Sequence, residues 1–311
     1  MPGMSSLSYA LPQHALSLAE LAEKKLIRTT PDVLASFGFT QAWLTQTRDE
    51  LFTLQTDVVR NLMSSIEQPT RELEAVIVYH GVEGVARAST DSELGPFRYA
   101  TSRLQYEIGL EGVPFYTMSQ QGCNGLLAAV WLGARLLATS EKRYLAIVSA
   151  DRLATGARRE IIHNIMSDSA AGVVLDSQEI RRRVLMHHQI DHPYYWDTPE
   201  RETEVLAAYF PMAERTIRET LERAGLSWHD LRWIVPHNVS IRSWEILAKL
   251  IGFPLEQVWL NNVPRVGHTV SADHIINLHD MESAGVLEKG DRVLLFSFGF
   301  GASWAGQILE Y

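Results

Sequence analysis

The chain of 311 residues contains a single cysteine, Cys123, in a setting typical of a reactive thiol. It lies between Gly122 and Gly125, and the apolar run 126–138, broken only by Arg135, follows. The helical spacing of that run predicts a buried helix with Cys123 in its first turn. Free backbone N–H groups and the helix dipole there favour the nucleophilic thiolate. A buried structural cysteine is the alternative that spacing alone leaves open.

Other special residues also follow predicted strands. His237 comes after the buried strand 233–235, Gly299 follows the strand 292–297, and His268 lies on a loop. In open parallel sheets, chemistry gathers at the carboxyl ends of strands. We therefore expect these side chains to meet near Cys123. Each histidine could instead be a satisfied structural residue.

The composition excludes several classes of function. Hydrophobic content of 46% and charged content of 21% are ordinary for a globular protein, and a net charge of −9 argues against nucleic acid as the main partner. One cysteine permits no internal disulfide, which fits the cytoplasm. We expect no signal peptide and no membrane span. The run His187–His192 lacks the spacing of a known ligand set, so no metal is expected.

The elements that must position these residues alternate along the chain. The predicted helices cover 17–25, 31–37, 51–66, 99–108, 126–138, 204–224, 241–251 and 271–284. The predicted strands cover 5–10, 75–80, 115–118, 144–149, 172–175, 184–190, 233–235, 258–260, 292–297 and 303–309. A loop rich in Gly, Ser and Thr is predicted from Gly81 to Pro96.

The order of elements repeats. Helix 51–66 and strand 75–80 resemble helix 204–224 and the strand that begins at Trp233. Each half should therefore form a mostly parallel sheet with helices on its faces. Two such halves packed face to face predict an α/β fold with five layers, α/β/α/β/α.

The polar stretch 176–183 is the predicted boundary between the halves. The N-terminal half, 1–176, then carries the nucleophilic cysteine. The C-terminal half, 177–311, carries His237 and His268.

The chain resembles the ketoacyl synthase III branch of the thiolase-like condensing enzymes over nearly its whole length. The resemblance rests on the order and spacing of Gln121-Gly122-Cys123-Asn124-Gly125-Leu126, Asp168–Leu175, Pro236-His237-Asn238, Gly267-His268-Thr269 and Phe298–Trp304. It implies a five-layered thiolase-like fold, a homodimer, no metal and no tightly bound cofactor. The implied substrate is a phosphopantetheine thioester, carried by coenzyme A or an acyl carrier protein.

The resemblance also implies roles for single residues. Cys123 attacks the acyl thioester, and backbone N–H groups of Cys123 and of Gly299–Gly301, here assigned to Phe300, hold the oxyanion. His237 matches the family histidine that donates to the carbonyl of the second thioester.

Two further positions relate to binding. Arg242 matches an arginine that the family uses near the carrier protein, and Trp43 is similar to a tryptophan that stacks on the adenine of the coenzyme. Arg152, Arg158 and Arg159 could join Arg242 in a basic patch for an acidic carrier protein.

The chain departs from the family pattern at several positions. His268 stands where most synthase III enzymes have Asn, Phe300 where Gly is common, and Ser240 where Asn is usual. The run 267–273 resembles a subgroup of specialised metabolism in which a histidine and an aspartate five residues later assist the cysteine. Asp273 would then orient His268 and stabilise its cation. Since a five-residue offset does not share a helix face, His268 must lie in the preceding loop.

The leading hypothesis is acylation of Cys123 followed by carbon–carbon bond formation with a malonyl thioester, in fatty-acid-like, polyketide or specialised metabolism. One alternative is transfer of the same acyl group to a hydroxyl or amine, with His268 and Asp273 as base. Another is a non-catalytic partner subunit of a heterodimeric synthase. A nucleotide-dependent dehydrogenase is disfavoured because no Gly-x-Gly-x-x-Gly follows the first strand.

Overall fold

The computed structural model of the chain describes residues 1–82 and 99–311, so most of the predicted loop from Gly81 to Pro96 lies outside the described residues. The strands are β1 Gly3–Ala10, β2 His14–Ser17, β3 Gln41–Leu44, β4 Leu73–His80, β5 Phe115–Ser119, β6 Tyr144–Asp151, β7 Glu160–Ile161, β8 Asn164–Ile165, β9 Ser169–Asp176, β10 Arg183–Asp191, β11 Trp233–Pro236, β12 Arg292–Gly299 and β13 Ser303–Glu310. The helices are α1 Leu18–Glu23, α2 Pro31–Ser36, α3 Arg48–Met63, α4 Pro69–Glu72, α5 Ala100–Glu107, α6 Gly125–Leu137, α7 Glu202–Ala224, α8 Ile241–Ile251, α9 Asn262–Val266 and α10 Asp273–Ser283.

The main sheet follows the order β11-β12-β13-β10-β1-β9-β6-β4-β5. Strands β1 and β10 join the two parts of this sheet through one strand pairing, Gly3 with Arg183. The molecule therefore contains a five-stranded sheet from the first part of the chain and a four-stranded sheet from the second.

The strand directions correct the expectation of mostly parallel sheets. Only the pairs β4–β5, β4–β6 and β11–β12 are parallel within the main sheet, and β1, β9, β10 and β13 pair antiparallel with their neighbours. Continuous apolar runs such as Ala75–Tyr79 reveal that both faces of a strand are covered, but they carry no information about its direction.

The helices divide into three layers around the two sheets. α6 and α10 lie between the sheets, where their apolar side chains form one core with both. α3 covers the outer face of the five-stranded sheet, while α7 and α8 cover the outer face of the four-stranded sheet. The predicted five-layered α/β/α/β/α fold is confirmed.

Two local predictions need correction. The segment 258–260 is not a strand, because only an isolated bridge joins Val258 to Ile234. The buried central helix begins at Gly125, so Cys123 lies in the 3₁₀ turn Gly122–Asn124 that precedes it. The division of the chain at residue 176 stays a prediction.

None of the described helices combines the length and the apolar character that a membrane crossing requires.

Candidate active site

The turn that carries Cys123 is held from three sides. Gly122 has a φ of 51°, a left-handed conformation that favours glycine, and its carbonyl accepts a hydrogen bond from the Tyr79 hydroxyl. The Cys123 carbonyl accepts a hydrogen bond of 3.2 Å from the Ser297 hydroxyl. A Cβ atom at Gly125 would lie 1.9 Å from the Tyr79 ring, so only glycine fits there. The thiol therefore sits on a turn whose backbone is fixed.

The loop that carries His268 is fastened to the first half of the chain. The His268 N–H donates to the Ile165 carbonyl, and the Ser167 N–H donates to the His268 carbonyl, both at 2.8 Å. These bonds accompany a parallel bridge between His268 and Met166. Gly267, with a φ of 71°, permits the close approach, since a Cβ atom there would lie 2.8 Å from the Ile165 carbonyl oxygen.

Cys123, His268 and Asp273 form one hydrogen-bonded chain. The Cys123 Sγ lies 3.1 Å from His268 Nε2, and His268 Nδ1 lies 2.5 Å from Asp273 Oδ2. Asp273 is the first residue of α10, and its carboxylate also accepts the backbone N–H groups of Thr269 at 2.8 Å and Asn238 at 2.7 Å. The five-residue offset is bridged because His268 lies in the loop before the helix.

The charges in this chain of groups stabilise one another. Burial lowers the pKa of His268, but the charges of Cys123 and Asp273 outweigh burial and raise the pKa well above the usual value. Burial raises the pKa of Asp273, but the His268 charge and the hydrogen bonds from His268, Thr269 and Asn238 lower it to about 2. The geometry therefore supports a protonated His268 ring between the Asp273 carboxylate and the Cys123 sulfur.

His237 has a different environment in the same site. Its ring centroid lies 5.7 Å from that of His268, and burial followed by the charge of His268 lowers the pKa of His237 to about 3. The Nδ1 atom approaches the Phe296 carbonyl at 3.3 Å. The Nε2 atom is buried and has no hydrogen-bond partner among the described residues. His237 is thus a neutral imidazole with one ring nitrogen available to a ligand.

The backbone segment that carries the Cys123 nitrogen packs closely against the segment that carries the Phe300 nitrogen. A Cβ atom at Gly299 would lie 3.1 Å from the Cys123 nitrogen, and one at Gly122 would lie 3.1 Å from the Phe300 nitrogen. The two backbone segments can pack this closely only because both contact residues are glycines. This places the N–H groups predicted for an oxyanion on adjoining segments, whereas the Phe300 ring lines the cavity.

A cavity of about 410 Å³ opens onto Cys123, His237 and His268. Its remaining walls are mainly apolar and come from both halves of the chain. They include Val82, Met166, Val205, Val239, Val270 and Phe298. A cavity of this kind suits a ligand with an apolar body and one polar reacting group.

The chain is similar in sequence to known proteins. Residues 221–311 match the family model of the 3-oxoacyl-[acyl-carrier-protein (ACP)] synthase III C-terminal domain. The beta-ketoacyl-[acyl-carrier-protein] synthase III of Aquifex aeolicus (strain VF5) is 21% identical over 307 residues, covering 90% of this chain and 96% of that protein. The protein of the same name from Escherichia coli O9:H4 (strain HS) is 24% identical over 308 residues, covering 92% and 95%.

The fold matches as well. The crystal structure of 3-oxoacyl-[acyl-carrier-protein] synthase III from Aquifex aeolicus VF5 superposes with a TM-score of 0.83 at 19% identity, covering 100% of both chains. This chain therefore has the thiolase-like fold of the synthase III structures, and its residues 221–311 are similar to the synthase III C-terminal domain. The two sheets and the intervening α6 and α10 form the three inner layers of this fold.

The site around Cys123 does not include every residue predicted from the sequence. The Trp43 indole N–H donates to the Arg265 carbonyl at 2.9 Å, and Trp43 does not line the cavity. Arg242 lies exposed in the first turn of α8, next to Ser243, which lines the cavity. Arg159 cannot join a surface patch, because it is 2% exposed and paired with the buried Asp168.

Sequence reasoning missed the groups that hold the site together. Asn238 and Thr269 stand inside the motifs 236–238 and 267–269, yet their bonds to Asp273 depend on a tertiary contact. Tyr79 belongs to a buried strand, and nothing in its spacing indicates that its hydroxyl bonds the turn at Gly122. In the described part of the chain, no group of three or more His, Cys, Asp or Glu side chains is placed to hold a metal ion.

Proposed function

We propose that this chain is a synthase III-like condensing acyltransferase. An acyl thioester acylates Cys123, and the acyl group is then joined to a malonyl thioester by a carbon–carbon bond. The observation that carries the proposal is the chain Cys123–His268–Asp273, which opens with His237 onto one apolar cavity. The similar proteins from Aquifex aeolicus and Escherichia coli are named beta-ketoacyl-[acyl-carrier-protein] synthase III, which supports this class of reaction.

In the first half-reaction the Cys123 thiolate attacks the carbonyl carbon of the donor thioester. The new bond joins Sγ to the acyl carbon, and the bond to the donor sulfur breaks. Acylation removes the negative charge of Cys123, which is the largest influence that raises the pKa of His268. His268 therefore becomes more acidic at this moment and can protonate the leaving thiolate.

In the second half-reaction His237 binds the carbonyl oxygen of the malonyl thioester. The Phe296 carbonyl already accepts hydrogen bonds from the His237 backbone N–H and from His274 Nε2, both at 3.0 Å. Because His237 Nδ1 lies farther away, at 3.3 Å, this carbonyl competes only weakly for a proton on Nδ1. The neutral tautomer with its proton on Nε2 can donate to the enolate that forms as carbon dioxide leaves.

The enolate carbon then attacks the acyl group on Cys123. The tetrahedral oxyanion is held by the backbone N–H groups of Cys123 and Phe300, and its collapse expels the Cys123 thiolate. No tightly bound cofactor or metal is needed for these steps, since the substrates supply the acyl group, the carbanion and the leaving carbon dioxide.

The donor and partners belong to the same proposal. Coenzyme A or an acyl carrier protein delivers the acyl group, with exposed Arg242 near the cavity as a contact for an acidic carrier. We propose a homodimer, because β5 is the last strand of the sheet and Tyr116 on it is 54% exposed. We place the protein in the cytoplasm, where its single thiol stays reduced.

Intact-mass spectrometry with a panel of acyl-CoAs tests the first half-reaction. At least one donor should give an adduct of the acyl mass, and the adduct should disappear in Cys123→Ala. Malonyl carrier protein should then release carbon dioxide and give a β-keto product. The absence of an adduct with every donor would favour the partner-subunit hypothesis.

A second candidate function follows from the state of His268 after acylation. Its Nδ1 proton is held by Asp273, so its Nε2 atom is free to accept a proton from a hydroxyl or an amine. The acyl group would then move to oxygen or nitrogen. Product formation without release of carbon dioxide distinguishes this reaction from condensation.

A further inference from the structure

One buried polar group at the cavity has no role in the proposed reaction. Tyr209 of α7 lines the cavity together with Cys123 and His237. Its side chain is half-buried overall, and its hydroxyl oxygen lies at the buried end with no hydrogen-bond partner among the described residues. His237 Nε2 is unpartnered in the same way, and in its case the substrate supplies the partner.

The surroundings of Tyr209 are aromatic. Its ring meets the rings of Phe210 and Phe298 edge-on, with centroids 5.0 and 5.3 Å apart, and Phe298 meets Phe300 at 5.3 Å. Burial also raises the pKa of the Tyr209 phenol, so the hydroxyl is neutral and keeps its proton. A neutral phenol in an apolar wall is a hydrogen-bond donor without an acceptor, which is an unfavourable state for a buried group.

The rings explain why tyrosine packs at this position, but they do not explain its hydroxyl. Phenylalanine would make the same edge-on contacts and would leave no buried polar atom unpaired. No described residue supplies an acceptor, whereas a ligand in the cavity that Tyr209 lines can supply one. The reacting carbonyls are not required for this purpose, since His237 and the backbone N–H groups near Cys123 and Phe300 already serve them in the proposed reaction.

We propose that Tyr209 binds the substrate by donating a hydrogen bond to an oxygen atom away from the reacting carbonyl. The inference rests on the proposed function. The acceptor is either an amide carbonyl of the pantetheine arm, which every donor shares, or an oxygen on the acyl group itself. Both are uncharged oxygens on a largely apolar chain, which is the chemistry that one phenol in an apolar wall recognises.

Binding to a protein that cannot react tests the proposal. Coenzyme A, butyryl-CoA and 3-hydroxybutyryl-CoA are titrated calorimetrically into Cys123→Ala and into Cys123→Ala with Tyr209→Phe. The second protein should bind about tenfold more weakly wherever the oxygen is present, a loss typical of one neutral hydrogen bond. Tyr106→Phe is the matched control, because Tyr106 is 75% exposed on α5 and lies outside the cavity.

The pattern of loss identifies the oxygen. An equal loss for the three ligands assigns it to the pantetheine arm, and a loss confined to 3-hydroxybutyryl-CoA assigns it to the acyl group. The melting temperature of ligand-free Tyr209→Phe should stay the same or rise, because an unpaired hydroxyl has been removed.

Unchanged affinity for all three ligands, or a lower melting temperature of the ligand-free variant, would overturn the role of Tyr209. These results do not depend on chemistry at Cys123. If Cys123→Ala itself binds none of the ligands, the proposed function fails together with this inference. If it binds them but only the variant result is negative, the inference on Tyr209 fails alone.

Discussion

His268 and His237 line the same cavity and are both buried, 5% and 1% exposed, yet their pKa values move in opposite directions. His268 lies between two anionic groups, Cys123 and Asp273. His237 faces a backbone carbonyl and the cation of His268. Burial acts on both rings alike, so the difference comes from the neighbouring charges.

In the proposed reaction, this difference gives separate tasks to two chemically identical side chains. A ring that is charged beside a thiolate can hold and release a proton during acylation. A ring that stays neutral at every physiological pH can only donate or accept a hydrogen bond. The comparison therefore predicts that variants of the two regions affect different half-reactions.

The largest expected effect comes from neutralising Asp273, whose carboxylate is hydrogen-bonded to His268 Nδ1. Asp273→Asn should slow acylation of Cys123 by roughly 10³-fold, because the imidazolium loses its counter-charge and its fixed tautomer. The rate of adduct formation by intact-mass spectrometry measures the change.

Asp57→Asn is the control for this variant. Asp57 forms an exposed pair with Arg60 at 3.6 Å, and such pairs contribute little to stability or function. Similar acylation rates for the two variants would contradict the charged role of His268.

The second effect should fall on the other half-reaction. His237→Gln should leave acylation within a few-fold of the parent rate and reduce carbon dioxide release by about 10²-fold, since one oxyanion donor is displaced. Burst adduct formation and carbon dioxide release are measured on the same preparation. A parallel loss of both would show that His237 does not act separately from His268.

The acid stability of the protein sharpens the comparison. The pKa of His237 is about 3 in the folded protein, below its usual value of 6.5, so the unfolded chain takes up a proton first as pH falls. Stability is therefore lost between pH 6.5 and 3. In His237→Gln the loss of unfolding free energy between pH 6.5 and 4 should be smaller by about 3 kcal/mol. Urea unfolding at both values of pH measures the free energy of unfolding of the parent protein and of the variant. Equal losses in the two proteins would contradict the lowered pKa of His237.

The smallest effect concerns the tautomer of His237. His274 Nε2 donates a hydrogen bond to the Phe296 carbonyl at 3.0 Å. The substitution His274→Leu would leave that carbonyl able to accept a proton from His237 Nδ1. Nε2 would then lose its proton, so carbon dioxide release should fall severalfold while acylation is unchanged. Nitrogen chemical shifts of the His237 ring report the tautomer directly, and an unaltered pattern would show that His274 has no part in fixing it.

Much of the layered fold could be predicted from the sequence. The helix Ile241–Ile251 has the predicted ends, because its apolar spacing is regular and Gly252 ends it in a left-handed conformation. Strand directions could not be predicted, since burial on both faces looks the same in either direction. The segment at Val258 has the apolar pattern of a strand, but it meets Ile234 only at a single bridge.

The site was predictable where chemistry is local to a motif. Cys123, His237 and His268 were singled out by residue type and by their positions after predicted strands, whereas the pairing of Asp273 with His268 came from the family resemblance; their roles are proposals. Tyr209 was not found, because on an amphipathic helix it has the pattern of an ordinary core-facing aromatic residue. The structure places Tyr209 against the cavity, and its hydroxyl has no hydrogen-bond partner among the described residues.

The main-chain bonds between His268 and residues 165–167 have a consequence for biosynthesis. The ribosome releases Cys123 long before His268, and the imidazole reaches the sulfur only after the second half has folded and docked on the first. An unfinished or misassembled chain therefore carries an unactivated thiol. In the proposed reaction, Cys123 therefore gains its partner imidazole only in the completed and folded chain.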